Sequence, residues 1–322
     1  MAKLTRTLKI KKADHFLAQP TTLSHLWVID KIREKLTETQ YQMFRKTCFG
    51  HFLDLQALKF SGNLVHHVLL HEVQKESVEN ELWFLVQNTP IRFSRMEFGL
   101  ITGLNFGHYP QELGGSTRLR ETYFDGSPVI TFKDIDLAYD RLDFTTVDDM
   151  DAVKLSLFFF VERLLLGRPT RHRSDPWVLE LVDDLDKFNS YPWGSVAWDR
   201  TYQNLRKVLI GQAEKFKNKK ANREMSGEEW KHAAYNLEGF PIAFQLWIYE
   251  AISSAGTHFV VCNNARLPRM LRWKSTKKNI RIRDIYKHIF DLKSPKLDVM
   301  LEPSFEAEGV AVCRAAGGNH VI

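Results

Sequence analysis

Cysteine is scarce in this chain. Its three cysteines, Cys48, Cys262 and Cys313, are too few and too scattered for a disulfide framework. A reducing compartment is the reading that follows. Long apolar runs are missing too. The most apolar window, Leu155 to Val161, is bracketed by Lys154 and Glu162, far short of the ~20 residues that span a bilayer. The start, MAKLTRTLKIKKADHF, is basic and lacks the apolar stretch of a signal peptide. Glycine and proline are sparse, which excludes collagen-like and low-complexity segments. The expectation is a soluble intracellular protein with no membrane partner.

What the chain does have is apolar and aromatic mass. Hydrophobic residues make up 44% and aromatics 12% of 322 residues, enough to build a large core and to exclude a disordered chain. The net charge is +6 and unevenly placed. From Arg266 to Lys287 nine cations face one acid, Asp284, so the remainder of the chain sums to −2. Basicity here is a local feature.

Helical periodicity dominates the pattern. It predicts helices over Leu23 to Leu36 with Thr22 as N-cap, over Gln40 to Leu55, and after Ser61. ELWFLVQNTPIRF reads as two short strands around a turn at Asn88-Thr89-Pro90. Ser94-Arg95-Met96-Glu97 is a capping box, opening a helix that stops near Gly103. Residues 108–130 read as a surface loop. Thr131 caps a helix to about Leu142. Val147 to Leu166 is the buried central helix, and Asp175-Pro176 opens another. YPWGSVAW reads as an aromatic turn leading into one long helix from Ala197 to Phe216. A second capping box at Ser226 to Glu229 predicts a helix to Leu237, and Gly239 and Pro241 set off FPIAFQLWIYEAI. The predicted fold class is mainly α: a multi-helix globular domain with a small β-hairpin near 81–93 and short strands within 258–283. Its division is a basic extension over 1–20, one domain over 21–292, and an atypical, disordered tail over 293–322.

Few residues suggest chemistry. Cys48, His51, His66, His67 and His71 have the residue types and rough spacing of a zinc site. On one helix, however, His67 and His71 fall a turn apart at the polar edge, with His66 at the other edge. Cys48 and His51 would have to fold back to join them. Ordinary helix-edge histidines are the better reading of Cys48, His51, His67 and His71, and no metal or other cofactor is expected. His258 and Cys262 in HFVVC read as one strand without the third residue a catalytic pair needs. The glycines of TGLNFG follow a helix instead of preceding one, unlike a phosphate loop. The pairs Asp148-Asp149 and Asp183-Asp184 suit helix N-termini. The basic segment supplies the one binding candidate: Arg266, Arg269, Arg272, Lys274, Lys277, Lys278, Arg281, Arg283 and Lys287, with Trp273 able to stack on a base. Lys3, Arg6, Lys9, Lys11 and Lys12 could extend it. Its bland reading is a pair of half-buried strands, basic on the solvent side.

Six segments occur in a telling order: TCFGHFLDL, FSGNLVHHVLLHEV, ELWFLVQNTPIRFSRMEFGLITGLNFG, FNSYPWGSVAWD, FPIAFQLWIYEAI and LPRMLRWK. Together they resemble the plant family called domain of unknown function 1985. The hairpin, capped helix and TGL step are also similar to the plant mobile domain. The first resemblance implies a transposon-derived plant protein with a nuclear setting. Its relatives often lie upstream of a cysteine protease domain of the SUMO-protease type. It implies no catalytic residues for this region, and no His, Asp, Gln, Cys series of that protease follows LPRMLRWK. The expected function is a non-enzymatic protein-interaction or scaffolding module with an unknown protein partner and no small-molecule substrate. The alternatives are non-specific nucleic-acid binding through 266–287, or a protease-gene fragment without activity.

Overall fold

The computed structural model describes residues 7–74, 80–112, 115–169, 173–174, 176–226, 233–263, 266–276 and 279–304. The fold is mainly α with four two-stranded sheets among these residues, as the periodicity predicts.

Part of the basic N-terminal extension packs on the body. Leu8 bridges to Val73, and Phe16 and Ala18 are buried in the main core. Strand β1 (Thr21–Thr22) then pairs in parallel with β6 (Asn236–Leu237). Helix α1 (Trp27–Lys35) starts later than the periodicity suggests. Thr22 does not cap it; its hydroxyl accepts the Ser24 amide at 3.0 Å instead. Residues 40–55 also divide. Helix α2 (Glu38–Arg45) opens with a capping box between Thr37 and Gln40, and a 3₁₀ turn over Gly50–Asp54 follows. Ser61 caps α3 (Gly62–Leu69) as expected, accepting the Leu64 amide.

The hairpin of β2 (Glu81–Val86) and β3 (Thr89–Ser94) forms with a tighter turn, at Gln87-Asn88. Pro90 therefore lies inside β3, opposite Leu85. The Arg92 amide, two residues on, points away from β2 to the Val299 carbonyl. Pro90 faces the same outer side, so its missing N–H removes no ladder bond. The Ser94–Glu97 capping box forms and opens α4 (Arg95–Thr102). Gly103 ends it in the left-handed region at φ 67°.

The expected loop over 108–130 contains α5 (Arg118–Tyr123). Strand β4 (Ile130–Thr131) pairs with β5 (Arg173–Ser174), and α6 (Phe132–Arg141) starts from a Thr131–Asp134 capping box. Helix α7 (Asp149–Phe160) is the central helix. It is capped by Asp148, buried around almost its whole circumference, and continued by a π-type turn over Val161–Leu165. Pro176 precedes α8 (Trp177–Val182), and Asp184 caps α9 (Leu185–Ser190).

YPWG is a helix start more than a turn. Helix α10 (Trp193–Lys207) begins inside it, and the single long helix expected to Phe216 breaks at Gly211, φ 69°. A separate helix, α11 (Gln212–Ser226), follows. Ser226 thus ends a helix instead of opening one, and the rest of that expected capping box lies outside the described residues. Helix α12 (Pro241–Ala251) starts with proline in its first turn and, like α7, is buried on nearly every side. Helix α13 (Ser253–His258) precedes β7 (Val260–Cys262), which pairs antiparallel with β8 (Trp273–Ser275). His258 is therefore helical, not part of a strand with Cys262. Ile280 and Ile282 are not in a strand either; α14 (Ile282–Ile285) begins there. Of the expected tail, residues 293–304 still pack on the body: Leu297 bridges to Ile252 and Leu301 is buried.

Aromatic rings fill the core in two groups. Phe49, Phe52, Phe160, Phe188 and Trp193 gather around the end of α7, with Phe49 and Phe160 stacked at 4.6 Å. Phe84, Phe93, Trp198, Phe244 and Trp247 join the hairpin to α10 and α12. Each such pair adds ~0.5–1.5 kcal/mol beyond simple burial.

Candidate functional sites

The histidines of α3 are core residues. His66, His67 and His71 are all buried, so the expected polar helix edges do not exist. His66 lies between the Tyr235 hydroxyl, 2.9 Å from Nδ1, and the Phe16 carbonyl, 2.7 Å from Nε2. A carbonyl only accepts, so Nε2 carries the proton and Nδ1 accepts from Tyr235. The Nδ1 of His71 donates to the His67 carbonyl at 2.7 Å, and its ring stacks on Phe290. His67 Nδ1 has no hydrogen-bond partner. Burial pushes His66 and His71 down to about 4 and His67 to about 3.

Cys48 and His51 belong elsewhere. The Nε2 of His51 donates to the Thr102 carbonyl at 2.9 Å, at the end of α4. The Cys48 amide donates to the Asn189 side chain in the last turn of α9, and burial raises its thiol pKa. Among the described residues, no three His, Cys, Asp or Glu side chains are grouped to hold a metal ion.

The basic segment divides on folding. Arg269 is buried, with Nη1 3.4 Å from the Glu250 carboxylate and Nη2 donating to the Glu302 carbonyl. Arg272 reaches the same carboxylate at 3.6 Å. The indole N–H of Trp273 donates to the other Glu250 oxygen at 2.8 Å. Two cations and the aromatic residue read as a base stacker are thus turned inward. They tie β8 to α12. Arg266, Lys274, Arg281, Arg283 and Lys287 stay exposed. Arg283 lies 3.6 Å from Asp284. Lys277 and Lys278 lie outside the described residues, as do Lys3, Arg6, Cys313 and His320.

Other charges meet in clusters that spacing does not reveal. Arg118 forks onto Asp151 at 2.6 Å and Asp183 at 2.7 Å. Lys154 joins Asp183, and Tyr123 donates to Asp151. The guanidinium holds both carboxyls below their usual range. Such carboxylates stay ionised and make poor proton donors. Arg92 links Glu81 to the fully buried Glu97, whose other oxygen accepts the Ser94 amide and hydroxyl. Glu162 pairs with Arg168. These bonds fasten elements together. The Asp148 and Asp184 caps fit the sequence reading, but the roles of Asp151 and Asp183 needed the fold.

The glycine-rich segments also serve packing. The Gly194 amide donates to the Asn105 carbonyl at 2.7 Å. The Ser195 hydroxyl donates to the Gly107 carbonyl and accepts from the Gly107 amide and from Arg95. TGLNFG and YPWGS are two halves of one joint between α4 and α10.

Two surface features remain. A cavity of about 480 Å³ opens between α5, residues 124–130 and α6. Val129 and Leu137 are each 37% exposed at its lining, beside Asp125, Asp134 and Arg141. On α11, a run of exposed lysines covers a helix that contributes little to the core.

This is a mainly α-helical domain in which salt bridges serve as internal fasteners. Residues 69–204 match the family described as Domain of unknown function (DUF1985), and the chain resembles that family. The match runs from the end of α3 into α10. It includes the hairpin, the capped α4 and the YPWG joint, while TCFGHFLDL, FPIAFQLWIYEAI and LPRMLRWK lie outside it. No curated protein and no solved structure matches the chain.

Proposed function

We propose that this chain is a non-enzymatic protein-interaction module that holds a partner segment in the groove between α5 and α6. The observation that carries the reading is the groove itself. It brings two of the exposed large apolar side chains, Val129 and Leu137, together at one concave lining. Asp125 and Asp134 line it against a single cation, Arg141. A segment with an apolar anchor flanked by Lys or Arg complements that lining. The Arg118 cluster fastens α5 to α7 and α8, so the groove wall is preorganised.

The thiols support the non-enzymatic part. Burial raises both Cys48 and Cys262 above the ordinary thiol value, which leaves little thiolate at neutral pH. His258 stacks on His288 and bonds to the Ser254 carbonyl. The reading keeps the nuclear, transposon-derived plant setting and the protease-linked relatives that the resemblance implies. Nucleic-acid contact through 266–287 is the second reading. The Glu250 cluster, which withdraws Arg269, Arg272 and Trp273, counts against it.

Affinity capture tests the proposal. Wild-type protein should retain a partner that cross-links to residues 122–142, and Leu137→Glu should release it at unchanged melting temperature. Equal retention by both proteins would overturn it.

A further inference from the structure

The exposed helix α11 points to a second surface and a different partner. Residues 215, 218, 219 and 222 follow the spacing of one helix face, and they are Lys215, Asn218, Lys219 and Asn222. All four are exposed and, among the described residues, none makes a side-chain hydrogen bond or ion pair. This face offers hydrogen-bond donors, two of them charged, a turn apart along a helix of 15 residues.

The helix is a poor stabiliser of the fold. Its inward contacts include the Phe216 ring against Phe16 at 5.3 Å and Lys217 on Asp14 at 2.6 Å. It carries five cations against two acids, Glu214 and Glu224. Lys215 and Lys219 are like charges four residues apart, which costs an isolated helix ~0.2–0.5 kcal/mol. A face that neither packs nor pairs, and that repels itself, is relieved by a bound anion. The neighbouring cleft is mixed in charge, lined by Lys9, Lys11 and Lys217 with Asp14 and Glu214.

Three features favour phosphate over other anions. Lysine binds phosphate as a point charge, whereas carboxylate recognition favours the arginine fork. The asparagine amides can donate to phosphate oxygens between the lysines. A membrane-surface helix needs an outward apolar face; here Phe216 turns inward and Met225 is the one large apolar side chain left outside. We propose that the Lys215–Asn218–Lys219–Asn222 face of α11 binds the sugar–phosphate backbone of nucleic acid without reading its sequence. This site is separate from the α5–α6 groove and from residues 266–287.

Fluorescence anisotropy with a labelled random 20-base-pair duplex tests it, over a salt series, on the full chain. Wild type should bind at low salt, with affinity falling as salt rises by a log–log slope of about −2 to −4. K215E/K219E should weaken binding at least ~10-fold and flatten the slope by about 2, with helix content and melting temperature unchanged. K215Q/K219Q should show a smaller loss in the same direction. R281E/K287E, in the other basic segment, should bind like wild type. No binding at low salt would overturn the proposal. So would undiminished binding by K215E/K219E, or tighter binding to phosphatidylserine vesicles than to the duplex at equal salt.

Discussion

The indole of Trp273 donates its N–H to Glu250 at 2.8 Å, which turns the ring inward against Tyr249. The same carboxylate lies within 3.4 Å of Arg269 and 3.6 Å of Arg272. One buried acid on α12 therefore organises a segment whose sequence reads as a surface of cations. Glu250→Ala removes the carboxylate that Arg269, Arg272 and Trp273 share. Removing one partner of such a cluster costs about 3–5 kcal/mol. Urea unfolding should show that loss. A variant as stable as wild type would mean that the cluster contributes nothing.

Gly103 ends α4 with positive φ against the ring of Pro268. A Cβ there would lie 2.1 Å from the proline Cγ. Gly103→Ala meets both a left-handed backbone, at roughly 1–2 kcal/mol, and that clash. It should destabilise by more than the backbone term alone. Thermal unfolding checks this against Gly126→Ala, where φ is also positive but the space is open. Gly126→Ala should lose only the backbone term.

Acid should destabilise this protein before most of its carboxylates titrate. His66, His67 and His71 are buried neutral, with folded values near 4, 3 and 4, against about 6.5 unfolded. Between those limits the unfolded chain binds more protons. The stability they support is complete above pH 6.5 and is lost as pH falls toward 4. The loss should total on the order of a few kcal/mol. His67→Leu removes a ring whose Nδ1 has no partner and should flatten that slope. Denaturant midpoints from pH 7.5 to 4.5 measure it, and an unchanged slope in the variant would assign the acid sensitivity elsewhere.

Leu137→Glu should leave stability within ~0.5 kcal/mol, because the side chain is exposed and unpacked on its outer side. Its effect belongs to binding. A large fall in melting temperature would instead make Leu137 a structural residue.

Local signals were the most legible part of the fold. Ser61, Ser94, Thr131, Asp148 and Asp184 all stand at helix starts, because a cap is decided within four residues. The all-apolar stretches of α7 and α12 announced buried helices. Boundaries set by tertiary contact were not readable. Thr22 had a nearer amide in Ser24, Gln87 took the turn before Pro90, and Gly211 broke a helix whose apolar period ran on. The candidate sites depended still more on the fold. Arg269 and Lys274 look alike in sequence, yet a carboxylate 19 residues before Arg269 and the Glu302 carbonyl after it hold the first cation inside, while the second stays exposed. The α11 face was legible in principle through its 215, 218, 219, 222 spacing. The five cations of α11, from Lys215 to Arg223, are spread among Asn, Ala and Phe, and no motif marks them as a binding face.

The proposed role of the α5–α6 groove is to bind a protein segment. Hydrogen–deuterium exchange on the complex with the captured partner tests it most directly. Slowed amide exchange is expected across residues 122–142, with residues 266–287 unchanged. Unslowed exchange in 122–142, or slowing confined to another face, would contradict it.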